Sequence, residues 1–335
     1  MPLNTFKIKP GFDKQNSEVG AVARWVGGDN IRFRYGLSEK VGGWSALGST
    51  TLSGVSRKLF PFRGNDGNKY LAIGMDKFLL IYFEDNFYDI TPYRTSGYPA
   101  TIDEFALSTF TTVSGSNSVT ITTTSTNRLS VGDIVEFENV SLPGGTGYSN
   151  SDFEDKLYEV KTITSATQFI VQPTANASGN VGPSGSCSVL PLETIGNQIQ
   201  QLSFGWSTGV WGGSNNWGQA ASTNGVNTPP AIWSLSSYGQ VLVATILNGK
   251  TFTWNPAAGN PLGTRASIDT AGFETTSNPT QSRLTLVSPT TRHLIHLGTE
   301  TTVGTPSTQD NMFVRFSSQE EINNYLITAS NSAGS

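Results

Sequence analysis

Period-two alternation runs through most of this chain and limits what it can become more than any other feature. Aromatic and β-branched residues alternate with polar ones between short clusters of Gly, Asn, Asp and Pro. That is the pattern of half-buried strands joined by tight turns, and the 3.6-residue spacing of an amphipathic helix is nearly absent. Three regions share one local design. In the first, residues 57–63 read as a strand and 64–68 as a hairpin loop. Strands at 69–75 and 78–83 follow, joined by Asp76 and Lys77, with a fourth piece at 88–90. The second region has strands at 231–235, 240–246 and 251–254, with Asn248-Gly249 as a type I′ turn signal. The third repeats the design at 283–287, 293–297 and 312–316. Tyr70-Leu-Ala-Ile, Val241-Leu-Val-Ala and Leu294-Ile-His-Leu occupy the same place in each region. A repeated antiparallel meander of three or four strands is how a β-propeller blade is written; an ordinary sandwich with similar hairpins is the competing architecture.

Residues from about 101 to 190 interrupt the repeat. They are rich in Thr, Ser and Gly and carry strands of their own at 118–122, 133–137, 157–160 and 168–171. We expect an all-β chain of propeller-like antiparallel blades with a small inserted β-barrel or sandwich. Residues 1–100 hold N-terminal strands and the first blade, 101–190 the insert, and 191–335 further blades with a Trp/Gly-rich loop. The 335 residues exceed the roughly 250–300 at which one core stops growing, which also favours more than one body. Because an insertion leaves and returns at one place, residues 101 and 190 should lie close together.

Charged residues make up 14% of the chain, against roughly 25% in an ordinary domain, which suits a surface largely covered by other protein. A net charge of −4 gives no basis for binding nucleic acid through its phosphates. Cys187 is the single cysteine, so no disulfide forms within the chain. The start has no apolar signal segment, and no apolar stretch approaches the roughly 20 residues of a membrane helix. We therefore expect synthesis in the cytoplasm and no membrane segment.

Few residues suggest chemistry. His293 and His296 are the only histidines; three apart on a strand, they face opposite sides and cannot share a metal. Glu136 and Glu138 sit two apart on a strand and share one face, and paired carboxylates can run glycoside hydrolysis. With Val135 and Phe137 on the other face, both glutamates are expected to meet water. Asp152, Glu154 and Asp155 cluster beside Phe153 without EF-hand spacing. No nucleophile elbow or phosphate loop is present, and no cofactor is expected. Arg32 and Arg34 alternate with Ile31, Phe33 and Tyr35, placing both guanidinium groups on one side as a partner-facing or solvated strip. Trp206, Trp211 and Trp217 fall in one Gly-rich segment, 204–218. They are candidate interface residues, or stacking platforms for a sugar.

The opening Lys9-Pro-Gly-Phe-Asp-Lys-Gln-Asn-Ser-Glu18 is followed by Arg24-Trp-Val-Gly-Gly-Asp-Asn-Ile-Arg-Phe-Arg-Tyr-Gly36 and Glu39-Lys-Val-Gly-Gly-Trp44. With the spaced Gly-Trp pairs of 204–218 and Val314-Arg-Phe-Ser-Ser-Gln-Glu-Glu, these segments resemble the nozzle, or tubular protein B, family of short-tailed bacteriophages. The resemblance implies a propeller with insertions, assembled as a homo-oligomeric ring of six copies below the portal and adaptor in the virion tail. It also implies attached tail fibres or spikes and a channel that passes double-stranded DNA without binding it specifically. It supplies no catalytic residue, and a structural protein rather than an enzyme is expected. The alternative is a receptor- or carbohydrate-binding tail fibre with a lectin-like propeller. Three blade-like units are fewer than the roughly four that close a propeller.

Overall fold

A computed structural model describes residues 8–43, 45, 51–96, 101–198, 229–268 and 278–335. Their secondary structure is β-strand with three short 3-10 turns, and the fold is all-β and propeller-like. No helix among the described residues is long and apolar enough to cross a membrane. The chain divides into two compact units, Met1–Leu52 and Ser53–Ser335.

The first unit holds β1 (Lys9–Phe12), β2 (Arg24–Trp25), β3 (Ile31–Arg34) and β4 (Leu37–Lys40). β1 pairs with β2 in parallel, and β3 with β4 as an antiparallel hairpin. Phe12 and Phe33 meet edge to face at 5.2 Å. Ile31 and Phe33 are half-buried and Arg32 and Arg34 exposed, as alternation dictates. Tyr35 departs from the expected apolar side: it is 91% exposed. The reason is local, since Tyr35 (φ 50°) and Gly36 (φ 80°) form the two-residue turn, where the hairpin's twist requires positive φ.

The second unit begins with β5 (Ser56–Arg63), β6 (Lys69–Met75), β7 (Leu79–Phe83) and β8 (Asn86–Asp89), a four-stranded meander. After the short pair β9 (Thr95–Ser96) and β10 (Thr101–Ile102) come seven strands of one sheet. These are β11 (Phe105–Thr112), β12 (Val119–Thr122), β13 (Ile134–Ser141), β14 (Lys156–Glu159), β15 (Thr162–Ser165), β16 (Gln168–Val171) and β17 (Val181–Pro191). Two three-stranded meanders follow: β18 (Trp233–Tyr238), β19 (Val241–Ile246) and β20 (Thr251–Trp254), then β21 (Leu284–Val287), β22 (Leu294–Leu297) and β23 (Val314–Phe316). The three segments aligned in the sequence are β6, β19 and β22, each an interior strand of its meander.

The meanders stack as blades, and β19 shows how. Leu242, Ala244 and Ile246 face the first blade across a core shared with Phe62, Tyr70 and Ile81. Val243 and Thr245 face the third, where Val243 packs with Leu294 and Tyr325 and the Thr245 and Thr285 hydroxyls lie 2.7 Å apart. Covered on both faces, β19 is an almost continuous apolar run, Val-Leu-Val-Ala-Thr-Ile. The first strand of the second blade, β18, lies against β5 and β6 on one side and β21 on the other. Trp233 there donates from Nε1 to the Met75 carbonyl at 3.0 Å and covers Gly74. A Cβ on Gly74 would stand 2.7 Å from the indole, so the glycine is what admits the ring. Fully burying a side chain of this size contributes on the order of 3 kcal/mol.

The seven-stranded sheet has the order β14-β13-β17-β11-β12-β16-β15. Its two edge strands are consecutive in the chain, so the sheet curls around one core that includes Phe110, Phe137, Phe153 and Phe169. Val160, at the bend between β14 and β15, is fully buried in that core. The long β11 and β17 run through the middle and pair with each other. Sequence reading passes over both. β17, Val-Gly-Pro-Ser-Gly-Ser-Cys-Ser-Val-Leu-Pro, has the composition of a loop, and its register against β11 is broken by bulges. Gly185 (φ 75°) occupies one irregularity, where a Cβ would stand 2.5 Å from the Ser141 carbonyl oxygen.

Candidate functional site

A cluster of charged side chains lies where the curled sheet, hereafter the barrel, joins the blades. Asp89 ends β8, Glu136 lies on β13, and Tyr93 forms an isolated bridge with Leu192 beyond β17. Arg265 follows β20 and is pinned by its neighbour, because the Ala266 N–H donates to the Ile90 carbonyl at 2.9 Å. The guanidinium donates from Nε and Nη2 to Glu136 Oε2 at 3.0 and 2.8 Å. Nη1 donates to Asp89 Oδ2 at 2.8 Å and to the Thr91 carbonyl at 3.0 Å. The cation also sits 5.0 Å over the Tyr93 ring. Burial opposes the Arg265 charge, but Asp89 and Glu136 outweigh it and raise its pKa.

Glu136 therefore does not meet water as expected; its side chain is 12% exposed and pairs with the Arg265 guanidinium. The Tyr93 hydroxyl lies 2.8 Å from Glu136 and 3.3 Å from Glu138. Burial, then the hydrogen bond to Glu136, raise the phenol's pKa. Burial also raises the pKa of Glu138. Glycoside hydrolysis needs one carboxyl group free to give a proton and another free to attack or to activate water. Here one member is committed to a guanidinium and a phenol, so the geometry favours an ionic joint.

The other candidates fall into structural settings. Glu154 accepts from the Asn139 and Val140 N–H groups at 3.0 and 2.6 Å, where Asn139 (φ 54°) turns the β13 backbone. Asp152 closes a capping box with Ser149. Phe153 between them belongs to the barrel core. Of the histidines, His296 is buried, with Nδ1 2.7 Å from Ser282 Oγ and Nε2 2.8 Å from the Tyr325 hydroxyl. His293 lies on the opposite face, edge-on to Phe316. Among the described residues no group of three or more His, Cys, Asp or Glu is placed to hold a metal. Cys187 is buried, and burial pushes its thiol up to about 12. Arg32 pairs with Glu39 across the β3–β4 hairpin, with both side chains substantially exposed, and Arg34 stacks over Tyr35 at 5.3 Å. Trp206, Trp211 and Trp217 lie outside the described residues.

No family model and no curated protein matches the chain. Among solved structures it is similar to Phage phi92 endosialidase at 14% identity and a TM-score of 0.23, over 76% of this chain and 34% of that one. The chain thus spans about a third of that protein's length.

Arg265, Tyr93 and Lys250 are the joint residues that sequence reasoning missed. None sits in a motif. The available signal is scarcity: with only 14% charged residues, a cation in a blade segment has few reasons to be there.

Proposed function

We propose that the chain is a structural subunit of a bacteriophage tail, a ring-forming nozzle component with no catalytic step of its own. The observation that carries this reading is the outer face of the third blade. Register places Leu284, Leu286, Ile295, Leu297, Val314 and Phe316 on one side of β21–β23, and all are exposed or half-buried. On the other side Thr285, His296 and Arg315 are buried towards the second blade. Monomeric proteins seldom leave a contiguous apolar sheet face in water, and in this molecule such faces are covered by another sheet. A second copy of the chain is the occupant we assign, because its blades offer the same kind of sheet that already stacks within the chain. A partner joined through unlike patches on each copy generates a ring when the rotation closes. The resemblance of the segments around Lys9, Arg24 and Val314 to the nozzle family supports the same reading.

The test is the native mass and negative-stain appearance of the purified chain. Closed rings, reduced to monomers by Leu286→Lys, are expected. A monomer at every concentration, with Leu286→Lys unchanged in solubility, would overturn the reading. Specific binding of the monomer to host cells would favour the receptor-binding alternative.

A further inference from the structure

Residues 101–191 carry nine Asp and Glu and three Lys and Arg. The whole chain has 25 and 21, which leaves 16 acidic and 18 basic residues elsewhere. An acidic barrel is therefore attached to a slightly basic remainder. At the joint the signs meet in one sense only. In the three ion pairs that cross the joint, each cation comes from the blades and each carboxylate from the barrel or the segment leaving it, while Asp89 on β8 holds Arg265 from the blade side. Arg265 after β20 meets Glu136 on β13 at 2.8 Å, and Lys250 between β19 and β20 meets Glu193 at 2.9 Å. Lys77 between β6 and β7 meets Glu159 on β14 at 3.5 Å. The Lys250 ammonium also donates to Thr95, at 2.8 Å to its carbonyl and 2.9 Å to its hydroxyl, so all three of its protons are engaged.

The chain crosses between the two bodies twice, and the crossings are tied to each other. The Arg94 N–H donates to the Pro191 carbonyl at 2.7 Å and the Glu193 N–H to the Pro92 carbonyl at 2.8 Å. Two adjacent crossings alone make a hinge. Contacts from three separate blade segments, Arg265 and Lys77 on the barrel and Lys250 on the two crossing segments, oppose rotation about it. Two of them are largely desolvated, with side chains 14% and 12% exposed for Arg265 and Glu136 and 27% and 14% for Lys250 and Glu193, so salt screens them little. We infer that the barrel is a rigid arm, locked in one orientation on the blades by a charge-keyed joint in which Arg265 and Lys250 are the positioning residues. Whatever the barrel carries or contacts is then presented at a fixed angle to the blades. This inference stands independently of whether the chain assembles.

Pulsed dipolar spectroscopy on the full chain tests it, with nitroxides at the exposed sites Thr164→Cys on β15 and Asn86→Cys on β8 and with Cys187→Ser removing the native thiol. The parent should give one narrow distance distribution. Arg265→Ala with Lys250→Ala should broaden it at least about twofold while circular dichroism shows both bodies folded, and Arg265→Lys with Lys250 retained should broaden it less. Should the double alanine variant not fold, Glu136→Gln with Glu193→Gln removes the opposite partner of each ion pair while keeping shape, and the same broadening is expected. A broad distribution in the parent, or a narrow one in the folded variants, would overturn the inference.

Discussion

Gly74 and Trp233 are paired by shape. The indole occupies the space a β-carbon would need, and its N–H is satisfied by the Met75 carbonyl. Gly74→Ala should therefore destabilise the chain by about 1–3 kcal/mol through overpacking, and Trp233→Ala by about 3–5 kcal/mol through the cavity it leaves, both read from denaturant unfolding. His296 should make the chain acid-sensitive. Burial, then the charge of Arg315, lower its pKa from 6.5 to about 3. Between those values the unfolded chain binds a proton that the folded ring refuses. The stability from neutral His296 is thus fully present above about pH 6.5 and is lost as pH falls towards 3, at up to about 1.4 kcal/mol per pH unit. His296→Gln should flatten this acid limb. Equal slopes in parent and variant would show that the ring takes up its proton while folded.

At the scale of elements, the blade strands were legible because each carries its own alternation and punctuation. The strands read at 69–75, 168–171 and 251–254 match β6, β16 and β20 in full, and the other blade strands fall within a few residues of where they were read. The Asn248-Gly249 turn differs. Four residues, 247–250, separate β19 from β20, and only Asn248 (φ 55°) of the pair is left-handed. The wider loop brings Lys250 to Thr95 and Glu193 across the joint. β17 escaped notice because its Gly and Pro read as loop, yet bulges in its register admit them inside a central strand, and β11 because its alternation is broken near the left-handed Leu107. We propose that residues 102–190 are a separable body. Replacing them by a short Gly-Ser linker should leave the blades soluble and folded, since Asp89 still partners Arg265 and the barrel core shares no residue with the blade cores. Loss of all soluble product would count against this.

For the whole molecule, the open face of the third blade decides the expectation. Leu284→Asp or Leu286→Lys should abolish self-association while leaving thermal unfolding within a few degrees of the parent, because exposed positions contribute little to the folded monomer. Arg32→Ala and Arg34→Ala, on the exposed hairpin of the first unit, should leave monomer stability unchanged, since surface ion pairs are worth roughly 0–1 kcal/mol. If these two residues meet a partner in the assembly, as their alternation suggested, the same variants should weaken assembly, read as a lower ring fraction in negative stain.

The sequence by itself determined the fold class, the three meanders, their interior strands and the opposite-facing histidines. These follow from period-two geometry and turn chemistry, which act over a few residues. Only the tertiary structure decided that Glu136 would be bound, that Arg265 would meet a barrel carboxylate and Lys250 one in the segment leaving the barrel, and that Gly185 would sit inside a strand. Those partners are separated by 57 and 129 residues for Lys250 with Glu193 and Arg265 with Glu136. No local pattern encodes which distant charge a buried cation will find; that follows from the packing that brings the barrel and the blades together.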